Sequence, residues 1–224
     1  MVFLNPIVFL VLTISLYFIS RATINNIYSF LSIFTKNNRF IFSVVSILYF
    51  PGTVAHEMAH FLAATILFLK VKDIKIFPKF EGNDIKLGSV VFEKQDFLRG
   101  IIVGLAPFIL AFFIFYAISS FNLFPSNTLV KNILFCYLIF SISSTMFSSK
   151  KDLIDLIYLV PTVIILAGIF YVFGLNIKVV FENNALFEKF SDIIYTINFY
   201  LFYSIIINLI ILLLTRITVN LIKR

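Results

Sequence analysis

Apolar residues run along the chain in long blocks separated by shorter polar stretches, over nearly the whole of its 224 residues. Six blocks stand out, at about 3–20, 40–69, 100–120, 129–147, 153–174 and 195–215. All but the second are close to the ~20 residues that a helix rising ~1.5 Å per residue needs to cross ~30 Å of hydrocarbon. The second is too long for a simple crossing and carries Pro51-Gly52 inside it. Proline has no N–H for the helix ladder and its ring clashes with the preceding turn, so a break is expected there, with a fresh helix over about Gly52–Leu69.

The polar stretches differ in kind. Lys70–Arg99 is the only long one, and within it IKIFPKF and KLGSVVFEK flank Glu81-Gly82-Asn83-Asp84. β-Branched and aromatic runs on either side of a turn-forming tetrad predict a small β-hairpin. Residues 21–39 read as a mixed connector or an interfacial helix, and 175–194 as a polar loop. No internal repeat or low-complexity linker divides the chain. The expectation is one domain over 1–224: an all-α polytopic membrane protein of about six transmembrane helices, with a small β-hairpin between the second and third.

Composition agrees with the pattern. Hydrophobic residues make up 61% of the chain and charged residues only 13%, against about 25% charged in ordinary soluble domains. Because the apolar blocks recur, neither a cleaved signal peptide nor a single anchor accounts for them. The net charge of +7 raises the question of nucleic acid. The cations sit in short loops without a basic face interleaved with aromatics, so the lipid bilayer is the expected partner and nucleic acid is not.

If all six blocks cross once, one side receives the seven cations of Lys70–Arg99, the Lys150-Lys151 pair, and Arg216, Lys223 and Arg224. The other receives only Arg21, Lys36, Arg39, Lys131, Lys178 and Lys189. The excess of cations on cytoplasmic loops then puts both termini and the 70–99 loop in the cytoplasm of a multi-pass cell-membrane protein. Cys136 is the single cysteine, which excludes an intramolecular disulfide and a multi-cysteine metal site.

The candidate chemistry lies in the second block, at His56-Glu57-Met58-Ala59-His60. Residues four apart share a helix face, so His56 and His60 can hold one metal ion between their imidazoles. Glu57, beside the first of them, can reach a water on that ion, take its proton and later deliver a proton to a leaving amine. Zinc is the metal suited to this work, one per chain, since it acidifies its water and polarises a scissile carbonyl.

A chance HExxH with two packed histidines is the bland alternative. Against it, these are the only two histidines in the chain and both fall in the motif. Ionisable groups in an apolar helix are costly, and the neighbouring Phe61, Leu62, Ala63 and Ala64 offer them no solvated face. A catalytic zinc usually has three protein ligands, and with no third histidine the last should be a carboxylate. Asp152 is the favoured candidate and Asp155 the substitute, both at the start of the fifth block. Their plainer role would be as charges favoured at a helix N-terminus.

Residues from about 45 to 155 resemble the site-two protease family of intramembrane zinc metalloproteases. PGTVAHEMAHFLAATIL is similar to the family's metal-binding helix, and IKIFP with LGSVVF to its membrane-associated β-hairpin. Arg99-Gly100 through Gly104-Leu105-Ala106-Pro107 resembles the start of the next family helix, and the serine-rich segment ending at Asp152 stands where the family places its aspartate ligand. The resemblance implies hydrolysis of a peptide bond in or near the transmembrane segment of a membrane-protein substrate, with release of a fragment to the cytoplasm. Two other classes stay open at this point. One is an ion or proton transporter using the His-Glu-His cluster; the other is an inactive relative acting as a membrane scaffold.

Overall fold

The computed structural model describes residues 4–75, 79–81, 84–86, 88–93, 96–147 and 184–222. Among them the order is α1 (Leu4–Phe34), α2 (Asn38–Leu48), α3 (Phe50–Ile66), β1 (Val71–Lys75), β2 (Lys79–Glu81), β3 (Asp84–Lys86), β4 (Ser89–Phe92), α4 (Phe97–Ser120), α5 (Leu129–Thr145) and α6 (Asn184–Ile222). The protein is mostly helical with small antiparallel sheets.

Among the described residues, three stretches are long and apolar enough to cross a membrane: Pro6–Phe34, Leu98–Ser120 and Glu188–Ile222. The pair α2 and α3, bent by 71°, makes a fourth if taken as one broken span. The 17-residue α5 is apolar but shorter. The expected span at 153–174 lies outside the described residues.

The two longest helices overrun their expected bounds. The stretch 21–39, read as a mixed connector or an interfacial helix, continues α1 as far as Phe34. Its polar side chains fold back on their own helix, Ser29 Oγ donating to Asn25 O and Ser32 Oγ to Ser29 O, so they do not break it. Likewise α6 begins at Asn184, within the stretch 175–194 expected to be a loop. The exposed Glu188 and Lys189 lie on an N-terminal extension of the apolar part, and polarity alone does not end a helix.

α1 lies along α6, and small polar residues let the two approach closely. Ser20, Thr23, Ser204 and Asn208 are all buried at this junction. Thr23 Oγ1 is 3.2 Å from Asn208 O, Asn208 Nδ2 donates to Ser204 O, and Ser144 of α5 donates to Asn208 Oδ1 at 3.3 Å. The two of these bonds that join different helices, Thr23–Asn208 and Ser144–Asn208, are worth on the order of 0.6 kcal/mol each in a membrane. The main apolar core gathers Leu16, Phe108, Phe115, Ile139, Met146, Tyr200 and Leu201 from α1, α4, α5 and α6.

The break in the second block falls at Tyr49, two residues before the expected Pro51-Gly52. Pro51 occupies the first turn of α3, where its missing N–H would have had no partner in any case. The helix ends at Ile66 rather than about Leu69. There Phe68 takes a positive φ of 56° and Leu69 N–H returns to Ala64 O at 2.8 Å, the pattern of a helix-terminating turn. That turn carries Leu69 into a small cluster with Ala64 and Val103.

The hairpin forms as expected, in two nested parts. β2 pairs antiparallel with β3, Glu81 opposite Asp84, with Gly82-Asn83 between them in sequence. Outside it β1 pairs with β4, from Val71 opposite Phe92 to Lys75 opposite Ser89, with a register shift between Val71 and Asp73. Lys72 and Glu93 add an exposed ion pair at 2.9 Å.

Candidate metal centre

Gly52 and Thr53, in the first turn of α3, are buried. The first N–H groups of any helix lack partners in their own turn and need others when buried. Here Thr53 N–H donates to Tyr49 O at 2.9 Å, and Gly52 N–H donates to Ser141 Oγ of α5 at 2.9 Å. A Cβ at Gly52 would overlap the Ser141 carbonyl and the Thr145 hydroxyl, so only glycine permits this approach of α3 to α5. The two helices advance side by side. Tyr137 OH of α5 donates to Ile47 O in the last turn of α2, Ser141 and Thr145 meet Gly52 of α3, and Met146, just past the end of α5, shares a small cavity with His56.

One turn beyond Gly52 the motif residues come together. His56, Glu57 and His60 are 4%, 7% and 8% exposed. The Nε2 atoms of His56 and His60 face each other at 3.1 Å, with the rings nearly perpendicular at 83°. Two nitrogens at that separation, each ~2.0–2.1 Å from one zinc, would subtend roughly 95–100° at the ion, near the tetrahedral value. The spacing therefore fits a shared zinc.

His60 is also held from behind. Its Nδ1 lies 2.9 Å from Val103 O of α4. A carbonyl only accepts, so Nδ1 carries the hydrogen and Nε2 of the neutral ring presents its lone pair to His56. Metal-ligating histidines are commonly oriented in this way by an acceptor on their other nitrogen.

The hairpin closes over the same place. A Cβ on Gly88, just ahead of β4, would come within 2.5 Å of Glu57 Cγ and 2.7 Å of Glu57 Oε1. The backbone entering β4 thus rests directly on the Glu57 side chain. On the opposite flank the small cavity, with room for about one water, is lined by Gly52, Ala55, His56, Pro107, Thr145 and Met146 among others.

Of the four site residues expected from sequence, the structure brings together His56, Glu57 and His60. Asp152 and its substitute Asp155 lie outside the described residues. Among the described residues, no cluster of three or more His, Cys, Asp or Glu side chains forms a metal cage. α5 stops at Thr145 and its last turn is buried through Phe147.

Sequence reasoning missed Val103, Ser141 and the contact of Gly88 with Glu57. A glycine beside a strand-forming run and a proline inside an apolar helix were the available signals, and neither says which neighbour it meets. Comparison of the chain with family models, curated proteins and solved structures finds no match.

Proposed function

We propose that this chain is a multi-pass intramembrane zinc metalloprotease, hydrolysing a peptide bond in or near the transmembrane segment of other membrane proteins. The observation that carries the proposal is the meeting of His56 and His60 at 3.1 Å between their Nε2 atoms, with Glu57 buried beside them in an apolar helix. Burying three ionisable side chains among apolar helices is costly unless they have a shared task. The resemblance of residues 45–155 to site-two proteases supports the same reading.

His56 and His60 would hold the zinc, with Asp152 as the third ligand. When bound, zinc supplies Lewis acidity toward a water and a peptide carbonyl. Glu57 would act as general base, taking a proton from the attacking water as its oxygen bonds to the carbonyl carbon, and would deliver that proton to the leaving amine nitrogen as the C–N bond breaks. Val103 O holds His60 by its Nδ1–H throughout. The buried walls supplied by α4 and α5 restrict access of bulk water, which strengthens each charge interaction inside.

A peptide must be extended to expose its bond to Glu57. β4 begins one residue after Gly88, which rests on Glu57, and among the described residues β4 has one edge not used by β1. An extended substrate segment added along that edge would run past the carboxylate. The excess of cations in Lys70–Arg99 supports a cytoplasmic position for this hairpin, with both termini on the same side.

The experiment is cleavage of a transmembrane reporter by the protein purified in detergent. Activity should disappear on chelation and return on addition of zinc. Undiminished cleavage in the presence of chelator would overturn the proposal.

A further inference from the structure

The bond between His60 and Val103 depends on a gap in the ladder of α4. Within an α-helix the carbonyl of residue i accepts the N–H of residue i+4. For Val103 that donor would come from residue 107, which is the proline inside α4, and proline has no N–H to give. The Val103 carbonyl is buried, and a buried carbonyl without its usual donor needs another. His60 Nδ1–H supplies it at 2.9 Å.

We propose that Pro107 is a positioning residue for the histidine pair: by withholding the 107 N–H it reserves the Val103 carbonyl for His60, which fixes the Nδ1–H tautomer and leaves Nε2 bare toward His56. In its consequence for zinc the inference rests on the proposed function; the tautomer itself does not need the metal. An alanine at 107 restores a competing donor on the helix axis. The Val103 carbonyl then serves the main chain first, and His60 loses the partner that sets its ring.

The test uses the full chain labelled with ¹⁵N-histidine in detergent micelles, without metal, at alkaline pH. The chain has only two histidines, so its four ring nitrogens can be assigned with His56→Gln. Wild-type His60 should show a protonated Nδ1 and a bare Nε2. Pro107→Ala should populate both tautomers and weaken zinc binding by on the order of 10- to 100-fold, without a lower Tm, since it adds a main-chain hydrogen bond.

Replacing residue 107 by the α-hydroxy-acid analogue of alanine removes the N–H without the proline ring and should restore the wild-type tautomer and zinc affinity. Wild-type His60 protonated on Nε2, or Pro107→Ala with an unchanged tautomer and zinc affinity, would overturn the inference. If Pro107→Ala does not fold, the hydroxy-acid form decides: tautomer kept supports the inference, tautomer lost overturns it. A wild type that shows the Nδ1–H tautomer but binds no zinc would refute the metalloprotease proposal while leaving the role of Pro107 standing.

Discussion

Gly52→Ala adds one methyl group at the point where α3 meets α5, and its effect follows from what that methyl would strike. One of its neighbours is the Ser141 carbonyl, a main-chain atom that no rotamer change can move; the other is the Thr145 hydroxyl. Ordinary contact needs about 1 Å more room than the present backbone leaves. The helices must therefore part by about that much, and His56, one turn along α3, goes with them. Overpacking of this kind costs about 1–3 kcal/mol, a fall in Tm of roughly 2–12 °C for a chain of this size. A shift of ~1 Å in a catalytic group costs on the order of 100-fold in rate.

Thermal unfolding, zinc titration and reporter cleavage in detergent measure these together. Ser141→Ala is the control: it removes the acceptor for Gly52 N–H without adding volume and should cost about 1 kcal/mol. Removing the Thr145 hydroxyl in the Gly52→Ala background should rescue only part of the loss, because the Ser141 carbonyl remains. Gly52→Ala with wild-type Tm, zinc affinity and activity would refute the close approach of the helices as the device that sets the site.

Gly88→Val should lower cleavage by on the order of 100-fold with zinc content retained, since the three atoms its Cβ would overlap all belong to Glu57; zinc analysis beside a cleavage assay checks this. Asp152→Ala should abolish zinc binding while Asp155→Ala keeps it, and the reverse result would move the third ligand to Asp155. Asn208→Leu removes the acceptor of Ser144 and the donor to Ser204. It should lower stability by about 1 kcal/mol and leave zinc affinity unchanged, as read by Tm and zinc titration.

Features that act within a few residues were legible in the sequence. Pro51 marks the start of α3 because a first-turn proline loses nothing. The Glu81–Asp84 turn pins a hairpin whose pairing follows from its alternating flanks. The i, i+4 spacing of His56 and His60 places both on one face. Helix ends were less legible: the serines and asparagines of residues 25–32 look like a connector until their hydrogen bonds are seen to stay on their own helix. What joins helices far apart in sequence was not legible at all. Gly52 with Ser141, Thr23 with Asn208, and His60 with Val103 depend on which face each helix turns to its neighbour. Pro107 shows the difference: only its position four residues after a carbonyl facing α3 connects it with His60.

The central claim is that Glu57 works as a base beside a zinc held by His56 and His60. Its most direct test is cleavage of the same transmembrane reporter by wild type and Glu57→Gln, each first shown to carry one zinc per chain. Glu57→Gln keeps the size of the side chain and removes its basicity, so it should retain zinc and lose cleavage by at least about 100-fold. Equal cleavage by the two proteins at equal zinc content would contradict the account.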